Sequence, residues 1–252
     1  MILPVAILGW GVGWLVNYLA DVLPIARRLV RPFCLNCRES LSLWNYLAWP
    51  RRCTVCKTRR ALRVWLVEVG FIAITAWLWL VPSARLSFGV ALVLLIYFGV
   101  VVVIDMEHHL ILHPVSRVGA ALGLLVGFWL HGLKATLLGG AAGFAIMFGL
   151  YLFGALMLRF IARLRGVSPA DEALGFGDVN LSGVLGLILG WPGIVGGILL
   201  ALFLGAMVSF TFIVIMKLLN RYQPFMAIPY GPVLISSAVI LLFFPKFLLS
   251  HL

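Results

Sequence analysis

Polar positions along this 252-residue chain are scarce and clustered, and long apolar runs separate them. A membrane-spanning helix needs about 20 consecutive apolar residues. Eight stretches are candidates: residues 1–24, 61–82, 86–105, 114–132, 136–160, 178–190, 193–218 and 231–249. Pro82 and Ser83 part the second from the third. The sixth is short and glycine-rich and ends at Trp191-Pro192-Gly193, a turn signal. Residues 1–20 carry no basic leader and no A-x-A-like site follows, so they read as the first transmembrane helix rather than a cleaved signal. No clear internal repeat and no low-complexity tract is visible. The pattern predicts an all-α polytopic membrane protein of about eight transmembrane helices. One long polar loop, residues 25–64, separates helix 1 (1–24) from the remaining membrane domain (65–252).

Composition supports that class. The chain is 63% hydrophobic and 11% charged, whereas soluble domains carry about 25% charged residues. A net charge of +11 raises the question of nucleic acid, but the placement of the charge argues against it. Ten of the nineteen Lys and Arg fall between Arg27 and Arg63. In a multi-span protein such a cluster marks a cytoplasmic loop. Eight spans then put both termini outside. Arg117, Arg159, Arg163, Arg165, Lys217 and Arg221 join the cytoplasmic side, making sixteen, against Arg85, Lys134 and Lys246 outside. The basic loop is thus expected to set topology and to attract anionic lipid; nucleic acid is not an expected partner.

This topology sends two carboxylates to one membrane face. Asp105 closes the apolar run before "MEHHLILH", and Asp178 lies in "GFGDVNL", residues 175–181. A carboxylate costs roughly 2.5–3.5 kcal/mol at a helix centre, and is tolerated where it faces a protein interior or a watery cavity. Either alone could be an interfacial residue reaching headgroup water. Two at the same face, one within Gly-x-Gly-Asp, suggest a working pair. Two carboxylates brought close cannot both ionise cheaply and share one proton. One then takes a proton from water while the other polarises a scissile carbonyl, as in aspartyl proteases. Gly175 and Gly177 would let the backbone bend and admit an extended substrate strand.

Cys34-x-x-Cys37 and Cys53-x-x-Cys56 are separated by fifteen residues. That spacing reads as a tetrahedral zinc site with four cysteine ligands. Disulfides are disfavoured in the cytoplasm, and four protein ligands leave no open position, so a structural Zn2+ is expected.

A rival reading comes from Asp105, His109 and His113. On one continuous helix they stand at i, i+4 and i+8, a spacing suited to a transition metal and to a polytopic metal-ion permease. Pro114 argues that the helix ends before it. The plainer expectation places these histidines in the headgroup zone, with His108 or His109 near enough to tune Asp105. A catalytically inactive membrane scaffold is a third class, opposed by the intact aspartate pair.

"IDMEHHLI" (104–111), "GFGDVNL" (175–181) and "IPYGP" (228–232) resemble the signature segments of the type IV prepilin peptidases, polytopic aspartyl proteases of the Gly-x-Gly-Asp class. Gly13 and Asn17 in "GWLVNYLADVLP", the four cysteines and Glu68 in "WLVEV" extend the resemblance over nearly the whole chain, in order. The resemblance implies that Asp105 and Asp178 are the catalytic pair. It implies a bacterial cytoplasmic (inner) membrane location, with the active site and cysteine loop facing the cytoplasm. The implied substrate is the leader of a type IV prepilin or pseudopilin, cut after a glycine. It also implies a second activity, N-methylation of the new terminus with S-adenosylmethionine as cofactor. Glu68 becomes a candidate to contact the amine or the methyl donor, against a plainer reading as an interfacial carboxylate paired with Arg63. The segment Pro229, Tyr230, Gly231 and Pro232 is expected to be irregular backbone beside the aspartates, offering backbone groups to the substrate. The chain departs from the family pattern at Val22, Leu112, His113 and Asn180. Those departures bear on substrate preference and spare both aspartates.

Overall fold

The structure, a computed structural model, describes residues 2–34, 36–42, 45–46, 52–83, 85–165, 175–220 and 229–244. Seven helices are formed among them: α1 (Ile2–Ala26), α2 (Leu62–Leu80), α3 (Phe88–His108), α4 (His113–Arg165), α5 (Phe176–Leu189), α6 (Gly193–Leu218) and α7 (Gly231–Phe243). The only β-type pairings among the described residues are two isolated bridges in the cysteine loop. The fourth and fifth expected segments both fall on α4, which is broken at Gly132 (φ 77°, ψ 164°). The end of the eighth expected segment, residues 245–249, lies outside the described residues, as do Arg221 and Lys246.

Five helices are long and apolar enough to cross a membrane: α1, α2, α3, α4 over His113–Phe160, and α6. The other two, α5 and α7, are apolar but only 14 and 13 residues long. Outward faces are greasy: Phe210 and Leu218 on α6 are 70% and 77% exposed. A chain with such surfaces is membrane-embedded, since lipid rather than water must cover them.

The chain divides into two compact units, residues 1–108 and 109–252. In the first, α1 lies against α2, with α3 packed on both. Gly9 and Gly13 make the close approach possible. A Cβ on Gly13 would lie 2.7 Å from the Glu68 Cα, and one on Gly9 2.8 Å from the Ile72 Cα. Small residues four apart bring helix backbones together where no hydrophobic effect can do so. Asn17 adds a buried hydrogen bond from Nδ2 to the Val64 carbonyl, 3.0 Å. At 25 residues α1 is about 37 Å long, longer than the roughly 30 Å hydrocarbon core.

In the second unit α4 is packed closely along α5, again backbone to backbone: Gly139 faces the Gly186 carbonyl and Gly143 the Ser182 carbonyl. The Gly132 break folds α4 back on itself, and Thr136 closes the turn with a 2.9 Å bond to the Gly132 carbonyl. The Trp191 N–H bonds the Ala135 carbonyl at 2.9 Å, tying the α5–α6 turn to that break. Helix α7 packs on α5 and α6.

Candidate functional site

Asp105 is in the last turn of α3 and 5% exposed. Asp178 is in the first turn of α5 and 9% exposed. The two carboxylates thus occupy opposite kinds of helix end. Asp178 sits among the free backbone N–H groups at the positive end of a helix dipole; Asp105 sits at the carbonyl end.

The two glycines before Asp178 do different jobs. Gly175 is the extended N-cap (φ −73°, ψ 138°), and its carbonyl accepts the Asp178 N–H at 3.0 Å. Gly177 provides space: a Cβ there would lie 2.9 Å from the Cβ of Ile111.

The Pro-Tyr-Gly-Pro segment differs from its expected irregular form. Pro229 and Tyr230 precede the helix, but Gly231 and Pro232 belong to the first turn of α7. Proline is at home there because a first-turn N–H has no helical acceptor. Tyr230 turns inward; its ring lies so near Gly205 of α6 that a Cβ there would be 3.0 Å from Cε2. Its hydroxyl is buried with no hydrogen-bond partner among the described residues. Helix α7, which this segment opens, packs on α5, which carries Asp178 in its first turn, so segment and carboxylate lie on neighbouring helices of the second unit. Ile228 lies outside the described residues.

The histidine row required by the permease reading does not exist. Helix α3 ends at His108, His109 is left-handed (φ 49°), and α4 starts at His113. Pro114 initiates the new helix and prevents continuation of the old one, so Asp105, His109 and His113 share no helix face. Among the described residues only the four cysteines form a group of three or more ligands able to hold a metal.

Those cysteines come from two knuckles that share three backbone features. Each knuckle is closed by an antiparallel bridge, Phe33 with Ser40 and Arg52 with Arg59. Each turns through a left-handed residue directly after its second cysteine, Arg38 (φ 59°) and Lys57 (φ 54°). In each, the first cysteine's N–H bonds a carbonyl five residues on, Glu39 at 2.8 Å and Thr58 at 3.1 Å. The four Sγ atoms lie within 4.8 Å of one another, with Cys34–Cys56 and Cys37–Cys53 at 3.5 Å. A tetrahedral centre with metal–sulfur bonds of about 2.3 Å has sulfur–sulfur edges of roughly 3.8 Å, so the quartet fits such an ion. Hydrogen bonding by the Thr58 side chain, then its backbone, pulls the Cys56 thiol down to about 6, while the Cys37 thiol in the same quartet is pushed up to about 12, so the fit to a metal rests on the sulfur geometry.

A buried charge network joins this loop to the helices. Asp21, 5% exposed, accepts hydrogen bonds from the Tyr46 hydroxyl at 2.7 Å and from Arg60 and Arg63. Arg60 also lies 3.8 Å over the Tyr46 ring, and Trp14 and Tyr18 of α1 pack around that ring. Arg63 reaches Glu107 on α3 as well. Glu68 departs from its plainer expectation: it is 2% exposed within α2 and accepts a 3.1 Å bond from Trp10 Nε1, while the Arg63 guanidinium turns to Asp21 and Glu107. Asp21, Tyr46 and Arg60 escaped the sequence reading. The signal that could have found them was Asp21 itself, one of only eight acidic residues and set at the end of an apolar run.

The profile of the type IV leader peptidase family matches residues 92–210, a span that carries both aspartates. A prepilin leader peptidase/N-methyltransferase of Burkholderia pseudomallei is 30% identical over 238 residues, covering 89% of this chain and 71% of its own length. This chain belongs to the type IV leader peptidase family. Proteins of the same name from Pseudomonas putida and Myxococcus xanthus are each 28% identical, covering 80% and 81% of this chain and 67% and 60% of their own. No solved structure matches the chain. As a family member the chain is a membrane-embedded peptidase, and the metal-permease alternative loses both its geometry and its kinship.

Proposed function

We propose that this peptidase removes the leader of type IV prepilins or pseudopilins, with Asp105 and Asp178 as its catalytic pair. The observation that carries the reading is the placement of two buried carboxylates in a chain of this family. One closes the apolar helix α3, and one opens α5 behind Gly175-Phe176-Gly177. Asp178, at the positive helix end, takes a proton from water as the water oxygen bonds the scissile carbonyl carbon. Asp105 gives its proton to the carbonyl oxygen. Asp178 then delivers its proton to the leaving nitrogen as the C–N bond breaks, and Asp105 recovers one from the gem-diol. Tyr230 and the first turn of α7 support the substrate beside Asp178.

The chain spans the bacterial cytoplasmic membrane eight times, with both aspartates and the cysteine loop on the cytoplasmic side, and cleavage follows a glycine there. The sixteen-to-three distribution of basic residues supports this orientation. Cys34, Cys37, Cys53 and Cys56 hold a structural Zn2+, which supplies folding energy to a loop with little core of its own. The relatives' shared name supports a second activity, transfer of a methyl group from S-adenosylmethionine to the amine freed by cleavage.

The test is incubation of the purified protein in detergent with a full-length prepilin, reading product masses. Cleavage after the leader glycine is expected, with the mass of one further methylene when S-adenosylmethionine is added. A stable, metal-loaded protein that leaves several prepilins intact would overturn the reading.

A further inference from the structure

The cavity between the cysteine loop and the ends of the first three helices has an unusual charge pattern. Its walls include Asp21, Arg52, Arg59, Arg60, Arg63 and Glu107. Both carboxylates are already engaged: Asp21 with Arg60 and Arg63, and Glu107 with Arg63. Among the described residues no carboxylate pairs with Arg52 or Arg59. Yet these two residues face each other across the antiparallel bridge of the second knuckle. Residues directly opposed in such a bridge project on the same side with Cβ atoms about 5 Å apart, and like charges so placed repel. Both side chains are solvent-exposed, so the repulsion is modest, and an anion lying against both would relieve it.

We propose that Arg52 and Arg59 form an oxyanion site in this cavity and bind a phosphate group. Guanidinium forks match the geometry of phosphate oxygens and bind them in pairs. The location supplies a source. Asp21 stands five residues before the end of α1, Arg63 in the first turn of α2 and Glu107 in the last turn of α3. The cavity therefore lies where three apolar helices end, the level of lipid headgroups in a bilayer. A phospholipid headgroup and a free phosphate offer the same chemistry, and the experiment separates them. The competing account gives the same arginines to the cysteines, since four thiolates on a divalent metal keep a net charge of about −2.

The test uses the full-length, metal-loaded protein in nanodiscs and reads its unfolding midpoint and metal content. In phosphatidylcholine discs, inorganic phosphate is titrated against sodium chloride of equal ionic strength. In a second arm, phosphatidylglycerol replaces part of the phosphatidylcholine. A ligand that binds only the folded state raises the midpoint with concentration. A rise of several degrees is expected in at least one arm: with phosphate if the site takes a free anion, with phosphatidylglycerol alone if it takes a headgroup. The rise should vanish in Arg52→Gln/Arg59→Gln. It should persist in Arg27→Gln/Arg28→Gln, which removes equal charge from outside the cavity. If the first double variant fails to keep its metal, Arg52→Gln and Arg59→Gln are compared singly, each expected to lose at least half of the rise. No rise in either arm, or a rise that survives loss of both arginines, overturns the proposal and leaves the pair to the thiolate charge.

Discussion

Asp21 shows how one residue can set the arrangement of a loop. Its carboxylate is buried at the end of α1 and holds Tyr46, Arg60 and Arg63, which come from 25 to 42 residues further along the chain. Removing one partner of a buried pair leaves the others uncompensated and costs about 3–5 kcal/mol. Asp21→Ala is expected to destabilise the first unit by about 3 kcal/mol. Rapid proteolysis within residues 25–64, followed on a gel, would show it; protease resistance equal to wild type would contradict it. Asp105 and Asp178 were legible in the sequence because an acid in an apolar run is conspicuous by itself. Asp21 meets the same criterion, but its meaning depends on partners that only folding brings near. The role of Glu68 was obscured for a related reason: its bond to Trp10 links α1 to α2 across 58 residues.

At the scale of elements, apolar run length placed the helices well, and the breaks between them depended on single residues. Gly132 splits α4 with a left-handed backbone, and an added Cβ there would meet nothing within 4 Å. The glycine is needed for its torsion alone. Gly132→Ala should cost about 1 kcal/mol, seen as a small fall in unfolding midpoint with activity retained. No change would mean that the turn relaxes to another conformation. The knuckles are the second element whose geometry exceeds its sequence signal. Cys-x-x-Cys spacing foretold four converging sulfurs, whereas the opposed Arg52 and Arg59 required the backbone bridge to be seen. Serine at any one of Cys34, Cys37, Cys53 or Cys56 is expected to abolish stoichiometric metal, measured by elemental analysis. Stoichiometric metal retained by any of the four variants would argue against a four-cysteine site.

At the scale of the whole molecule, an all-helical, membrane-embedded chain follows from composition and run length, because lipid leaves backbone groups no partner but their own helix. The histidine row failed as a metal site because Pro114 starts a new helix, a local rule that overrides any face drawn through it. Function was legible through motif order and through two carboxylates that close and open apolar runs. Everything proposed for cleavage rests on these two acting as one catalytic pair. The decisive measurement is the rate at which purified wild type, Asp105→Asn and Asp178→Asn cleave a full-length prepilin, with unfolding midpoint and metal content measured alongside. Loss of an acid–base group removes about 10²–10⁴-fold in rate. Each variant is expected to lose at least about 10³-fold while keeping its midpoint and its metal. Near-normal cleavage by either variant would refute the pairing.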